Sequence, residues 1–362
     1  MTMLTSQTIV ALPDAARHLA GLSELMARHD IAVTREGESY LGRFPNGSAR
    51  LDATADSVTM RIEAPDAATL NGIKLELGGS LSFVSGQVLD IAWSGGPDGL
   101  TRLTKLSVLT VRSAEQLTPH MRRITFSGDN LERYADGTNL HMRLAFPAEG
   151  EAQPALPMVD GHGRIVWPEG AALPILRKYT VRRVDLASAT VVIDFVLHDD
   201  AGPGSRFAAS AKAGDVIGMI GPGGLTAAPA DWYLLAGDET ALPAIGRILE
   251  GLPATARGLA LIEVVDAREE LPLDTAAQID IRWLHRDGAA PGTTTLLPDA
   301  VRAVTFPEDG SRVFAWAAGE FDAFKAIRSH LRKERGLKPD QHLVVSYWRC
   351  GKAGEDAEKS QE

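Results

Sequence analysis

The hydrophobic rhythm of this chain changes at about residue 228, and that change constrains its architecture more than any single motif. Ahead of it, residues 103–227 hold short alternating runs at 104–111, 121–126, 139–146, 178–185, 190–198 and 216–220. Turns rich in Gly, Pro and Asp separate them, and no long helical stripe intervenes. Short strands punctuated in this way predict an antiparallel β-barrel, a small closed one. Beyond it, over 229–351, apolar strands alternate with helical stripes. The run 232–236 precedes Leu242, Ile245, Ile248, Leu249 and Leu252; runs at 259–265, 279–284 and 312–317 follow. Phe321, Phe324, Ile327 and Leu331 then mark a helix that should stop at Gly336, ahead of a last strand at 342–347. Strand–helix alternation predicts an α/β domain with a doubly wound parallel sheet.

Residues 1–97 read as a separate small α+β domain. Asp14 is placed to cap a helix carrying Leu19, Leu22, Leu25 and Met26. Strands at 39–44 and 49–53 flank the turn Pro45-Asn46-Gly47, and Val58, Met60 and Ile62 alternate along a third. Asp66 starts a second helix, and Leu89, Ile91 and Trp93 line a further strand. The Gly/Pro-rich stretch 94–99 is a linker, 147–174 reads as an excursion over the barrel, and 352–362 as a disordered polar tail. A chain of 362 residues is long enough for this multidomain arrangement.

Composition narrows the function. A net charge of −10 argues against general affinity for nucleic acid or anionic membrane. The single cysteine, Cys350, excludes an intrachain disulfide and a cysteine-ligated iron–sulfur cluster within one chain. No run of about 20 uncharged apolar residues exists, and the amino terminus shows no basic segment followed by an apolar one. The expectation is a soluble, cytoplasmic protein without membrane insertion.

Arg177-Lys178-Tyr179-Thr180 carries the chemistry. On a strand, Arg177 and Tyr179 share one face about 7 Å apart. A guanidinium for phosphate thus stands beside a phenol for a ribityl chain or ring, with the Thr180 hydroxyl on the other face. The pattern R-x-Y-T is weak alone. It is followed by His198 and the glycine-rich loop 199–207, where Gly202 and Ser205 offer N–H groups and a hydroxyl to a pyrophosphate. A plain hairpin turn with a helix cap, and a structural His198, are the bland alternatives.

In the loop 236–243, Asp238 and Thr240 lie where a parallel sheet meets its ligands. It is not the G-x-G-x-x-G fingerprint, and both residues could simply cap the helix. Arg286, with Arg282 and His285, could take a ribose 2′-phosphate and favour NADPH over NADH, or be a solvated basic turn. Gly319 and Glu320 follow a strand at the edge where a nicotinamide would enter, Gly319 permitting close backbone approach. Trp348 could cover a flavin or nicotinamide face, or pack between domains.

Taken in order, 177–182, 198–205, 236–245, 283–286, 316–320 and 347–351 resemble the siderophore-interacting protein family, across roughly 104–351. These are cytoplasmic ferric-siderophore reductases related in architecture to ferredoxin–NADP reductases. The resemblance implies FAD held by Arg177, Tyr179, Thr180, His198 and Ser205, an NAD(P)H site in the third segment, and reduction of iron(III) in a bacterial chelator. It calls for no protein nucleophile and no metal cage. The first segment looks like a small domain of unassigned function. Ferric siderophores are often anionic, which makes Lys178, Arg182, Arg143 and Arg349 candidate substrate contacts. Two alternatives stay open: a general flavin or ferredoxin-type NADPH reductase with an external ferredoxin, and a non-catalytic siderophore-binding protein.

Overall fold

Alternation of buried and exposed residues along Ser57–Ala64 sets the centre of the first unit. The computed structural model describes residues 2–28, 31–198 and 202–352. They form two compact units, Met1–Leu106 with Ala155–Ala172, and Ser107–Pro154 with Leu173–Glu362.

In chain order the first unit contains β1 (Leu4–Ala11), α1 (Ala15–Arg28), β2 (Ala32–Glu36), β3 (Ser39–Phe44), β4 (Gly47–Ala53), β5 (Ser57–Ala64), α2 (Ala67–Ser85) and β6 (Thr101–Arg102). Its five-stranded sheet has the order β1-β5-β4-β3-β2. Ala49, Leu51, Val58, Met60 and Ile62 bury one sheet face against Leu19, Leu22 and Met26 of α1 and Leu70, Leu77 and Leu81 of α2. Period-2 and period-3.6 stripes meet in one core. Asp66 caps α2 as expected, its carboxylate accepting the Thr69 N–H at 2.9 Å. Asp14 starts α1 through its carbonyl, which accepts from Arg17 and His18, and its own φ is +54°.

Three readings need correction here. β1 and β2 were not visible in the pattern, because β1 turns Ser6 and Thr8 inward and leaves Ile9 71% exposed. Residues 89–93 form no strand. The Ser6 hydroxyl donates to the carbonyls of Ser94 and Gly95 and that of Thr8 to Ala92, beside a single backbone bridge in which Gln7 and Ser94 exchange N–H···O bonds at 2.8 Å. The excursion does not belong to the barrel: 155–172 is part of the first unit, with Val159 buried.

The chain continues through β7 (Leu106–Thr118), β8 (Met121–Gly128) and β9 (Asn139–Phe146). It then supplies β10 (Met158–Val159) and β11 (Ile165–Val166), which extend β6 of the first unit. Next come β12 (Ile175–Thr180), β13 (Arg183–Asp185), β14 (Thr190–Val196), α3 (Pro203–Ser210) and β15 (Val216–Leu225). The seven-stranded antiparallel sheet runs β12-β9-β15-β7-β8-β14-β13. Its two edge strands are consecutive in sequence. Val181 N–H bonds the Leu140 carbonyl of β9 and Arg182 N–H the Val192 carbonyl of β14, both at 2.9 Å. One run therefore passes from one edge to the other and closes the barrel, which removes the open edges.

The remaining elements are β16 (Trp232–Asp238), α4 (Leu242–Gly251), β17 (Arg257–Val264), β18 (Gln278–His285), α5 (Leu296–Arg302), β19 (Val313–Glu320), α6 (Phe321–Ser329) and β20 (His342–Trp348). The five strands pair in parallel in the order β18-β17-β16-β19-β20. Strand order reverses between β16 and β19, so the ligand crevice of such a sheet lies beyond Asp238 and Glu320. α6 passes into a π-helical turn at His330–Glu334, after which Gly336 takes φ +67° and Leu337 N–H returns to the Leu331 carbonyl, so the helical run from Phe321 stops where the pattern placed it.

Barrel and parallel sheet share a core in which Met121 and Leu140 join Tyr233, Leu242 and Ile245. Arg247 of α4 donates to the barrel carbonyls of Tyr134 at 2.6 Å and Val181 at 3.0 Å. No described helix is long and apolar enough to cross a membrane. The tail from 353 and loop residues 199–201 lie outside the described residues.

Candidate functional site

β12 presents Arg177 and Tyr179 on one side and Lys178 and Thr180 on the other, as its alternating burial requires. The Tyr179 ring lies 4.6 Å from Phe195 and 5.9 Å, edge-on, from Phe146. Burial pushes the Tyr179 pKa above its ordinary value, with Arg177 opposing. Its hydroxyl reaches the first turn of α3, where a methyl on Gly204 would overlap it. Gly202 begins α3 without a side-chain cap and Pro203 follows. Ser205, buried, accepts the His198 N–H at 3.2 Å, while the His198 side chain is exposed. Arg177 donates to the Leu176 carbonyl at 2.7 Å. A helix start whose N-cap is a glycine, a second glycine shaped to a phenol and a nearby guanidinium are what an aromatic cofactor with a pyrophosphate needs. The residues fit FAD.

On the other side, Lys178 and Arg143 are register partners on β12 and β9, and both are exposed. Arg182 does not join this pair. Glu250 of α4 holds it at 2.9 and 2.5 Å, so its assignment to substrate is corrected. Arg349 also stands apart, stacked 4.4 Å over the Phe321 ring.

Where barrel meets sheet, Thr180 and its register partner His141 face Tyr347 of β20. The Tyr347 hydroxyl bonds His141 Nε2 and the Thr180 hydroxyl, so side chains fill the seam at this point. Burial, with Lys178 and Arg247 behind it, lowers the His141 pKa from 6.5 to about 4. The folded protein therefore holds His141 neutral where the unfolded chain would protonate it. Stability from this group is present above pH 6.5 and is lost as pH falls toward 4. His141→Gln should flatten that loss in denaturant midpoints taken at pH 7 and pH 5. Parallel midpoints for wild type and variant would contradict the burial of a neutral imidazole.

At the sheet edge, the Asp238 carboxylate accepts from Thr240 N–H at 2.9 Å, the Thr240 hydroxyl at 2.5 Å, Glu320 N–H at 3.0 Å and Trp348 Nε1 at 2.8 Å. It ties the ends of β16, β19 and β20 together. Burial first, and Glu239 second, push its pKa up to about 6. Gly319, at φ +153°, is glycine because a Cβ would come within 2.7 Å of that carboxylate. Glu320 caps α6, accepting from Asp322 N–H at 2.5 Å, and its other oxygen accepts Cys350 N–H at 3.1 Å. Beyond them lies a cavity of about 120 Å³ lined by Asp238, Glu263, Arg286, Glu320 and Trp348 among others.

Arg286 lines that cavity but is not placed to take a 2′-phosphate. Its guanidinium is buried, bonded to both Glu239 oxygens at 2.8 and 2.7 Å and 3.4 Å from Glu263. Arg282 pairs with Asp280 and His285 with Glu270. Each member of the cluster read from sequence as a phosphate site is held by a carboxylate.

Comparison with known proteins decides the family. Residues 230–351 match the model of siderophore-interacting proteins, and 110–226 that of the siderophore-interacting FAD-binding domain. Residues 7–94 match an uncharacterized family conserved in bacteria, DUF2218. The ferric vibriobactin reductase ViuB of Vibrio cholerae is 34% identical over 241 residues, 65% of this chain and 86% of that protein. The chain belongs to the siderophore-interacting protein family. A siderophore utilization protein from T. fusca shares 42% identity and a TM-score of 0.62, over 72% of this chain and all of that one. The NADPH-dependent ferric-chelate reductase of Escherichia coli is 30% identical over 246 residues, 66% of this chain and 91% of that protein.

In this siderophore-interacting protein, β12 and α3 adjoin and bring Arg177, Tyr179, Gly202 and Ser205 into one neighbourhood, and Lys178 lies opposite Arg143 of β9. Asp238, Thr240, Gly319, Glu320 and Trp348 also come together, bonded chiefly to one another. His141 and Tyr347 were missed as a pair. The available signal was that His141 precedes Arg143 by two residues and so shares its face.

Proposed function

We propose that this chain is an NADPH-dependent flavin reductase that passes electrons to iron(III) in a siderophore and releases iron(II), in the cytoplasm. The observation that carries it is the Tyr179–Gly204 contact at the glycine-led start of α3, within a barrel whose family model is an FAD-binding domain. Arg177 and the α3 N–H groups hold the pyrophosphate and Tyr179 the ribityl and ring end; Thr180, turned to the other face and bonded to Tyr347, is taken out of the flavin contacts. When bound, FAD supplies the conversion between a hydride pair and single electrons. The donor enters at the Asp238–Glu320 edge, where Trp348 walls the cavity. NADPH is the donor named for the E. coli relative, and vibriobactin the siderophore named for the Vibrio one.

Lys178 and Arg143 recruit the anionic ferric chelate by charge, on an otherwise acidic protein. Reversing both to Glu is expected to raise KM for an anionic ferric siderophore by about tenfold at low ionic strength and less at high salt. Turnover with a neutral quinone acceptor should be unchanged. An unaltered KM for the chelate removes the pair from the substrate path.

A further inference from the structure

The N-terminal unit incorporates a piece of chain that interrupts the barrel. Residues 155–172 leave after β9 and return two residues before β12 begins at Ile175. Within the first unit this segment is built in. β10 pairs with β6, Met158 opposite Arg102 and Val159 opposite Thr101, and Val159 is 1% exposed. Thr101 links Asn71 of α2 to the Val159 carbonyl. Lys74 of α2, itself 1% exposed, donates its ammonium to the Gly161 carbonyl at 2.7 Å. Burial lowers the Lys74 pKa, with Asp160 and Asp98 opposing. The His162 ring accepts the Trp93 N–H at 3.4 Å. Asp160 folds the turn by accepting from His162 N–H, Arg164 N–H and Arg164 Nε, each at 2.9 Å. Gly163, at φ +75°, fits so closely on α2 that a Cβ would lie 2.6 Å from the Lys74 Cβ and 2.7 Å from the Leu75 nitrogen.

A buried lysine and a glycine pressed on a helix backbone are costly features for a loop that merely connects two strands. We infer that the N-terminal unit preorganises the flavin strand: by holding 155–172 as part of its own fold, it shortens the free chain between β9 and β12, the strand that carries Arg177 to Thr180. The chain crosses between the units at 106/107, 154/155 and 172/173, so the unit is not an appendage on one linker. Undocked, the connection from β9 to β12 becomes one long free loop. Ordering β12 must then supply the entropy that the first unit now absorbs. The inference rests on the flavin reading of β12 given above.

The test uses the full chain with Gly163→Val, which drives a side chain into α2, and Lys74→Glu, which places a carboxylate against the Gly161 carbonyl. Lys74→Gln, which keeps an N–H donor, is the control. Arg164, exposed on the segment, offers a tryptic site whose cleavage rate reports docking. The expected result is cleavage after Arg164 at least tenfold faster in both disrupting variants. FAD dissociation constants should rise at least tenfold while the barrel's melting transition is retained, and Lys74→Gln should stay close to wild type in both. Faster cleavage with unchanged FAD affinity overturns the inference; so does wild-type cleavage as fast as the variants', or disruption that leaves cleavage slow. If Gly163→Val does not accumulate folded, Lys74→Glu and the milder Gly163→Ala are judged by the same outcomes. A wild-type chain that holds no FAD sinks the flavin reading instead, and the cleavage rates still report whether the segment is docked.

Discussion

Replacing Arg286 with alanine is expected to cost about 3–5 kcal/mol of stability, the range for leaving a buried charge without its partner. The side chain is fully covered, and Glu239 and Glu263 would both face the void. Desolvation works against the guanidinium charge, but the two glutamates outweigh it and raise its pKa above the ordinary arginine value. The loss should appear as a lowered urea midpoint with an unchanged slope. Adding Glu239→Gln should recover part of it, because one of the stranded carboxylates is removed. In whatever fraction stays folded, KM for NADPH and NADH should move together. A loss below about 1 kcal/mol, or a KM rise confined to NADPH, would restore the phosphate role that the ion pairs deny.

Asp238→Ala should be nearly as damaging. It strands the Trp348 indole N–H, the Glu320 N–H and the Thr240 N–H, and an unsatisfied buried donor costs about 1–3 kcal/mol. A total of about 2–4 kcal/mol is expected, together with loosening of the Trp348 wall and a raised KM for the nicotinamide donor. Asp238→Asn separates charge from contact. The carboxyl keeps its proton to about pH 6 in the folded protein but only to about 3.8 when unfolded, so its contribution is fully present below 3.8 and falls as pH rises to about 6. The Asn variant should lose that downward slope. His141→Gln should tilt the same window the other way, since His141 contributes its stability at the upper end. Finding both variants parallel to wild type from pH 4 to 6.5 would show that neither group is buried as described.

What was legible in the sequence was periodic. Val58, Met60 and Ile62, the stripe from Leu242 to Leu249, and the switch from strands to strand–helix alternation all report burial with a fixed period. β1 escaped notice because Ser6 and Thr8 take inward positions, satisfied by carbonyls more than 80 residues away. The roles of cations were least legible. Arg286 and Arg182 look like any basic residue near a loop until Glu239, 47 positions away, and Glu250, 68 away, close on them. Gly204 and Gly319 were recognisable as glycines near a site. That one accommodates Tyr179 and the other Asp238 depends on contacts that no local pattern encodes.

In the proposed function the barrel holds a flavin, which the parallel-sheet edge supplies with electrons for a ferric chelate. An absorption spectrum of the purified protein, followed anaerobically through addition of NADPH and then of a ferric siderophore, tests it most directly. The expected result is flavin bands in the visible, their bleaching by NADPH, and their return as iron(II) appears in a chelator assay. A protein that stays colourless after incubation with FAD, or whose bleached flavin is not reoxidised by the ferric siderophore, would contradict it.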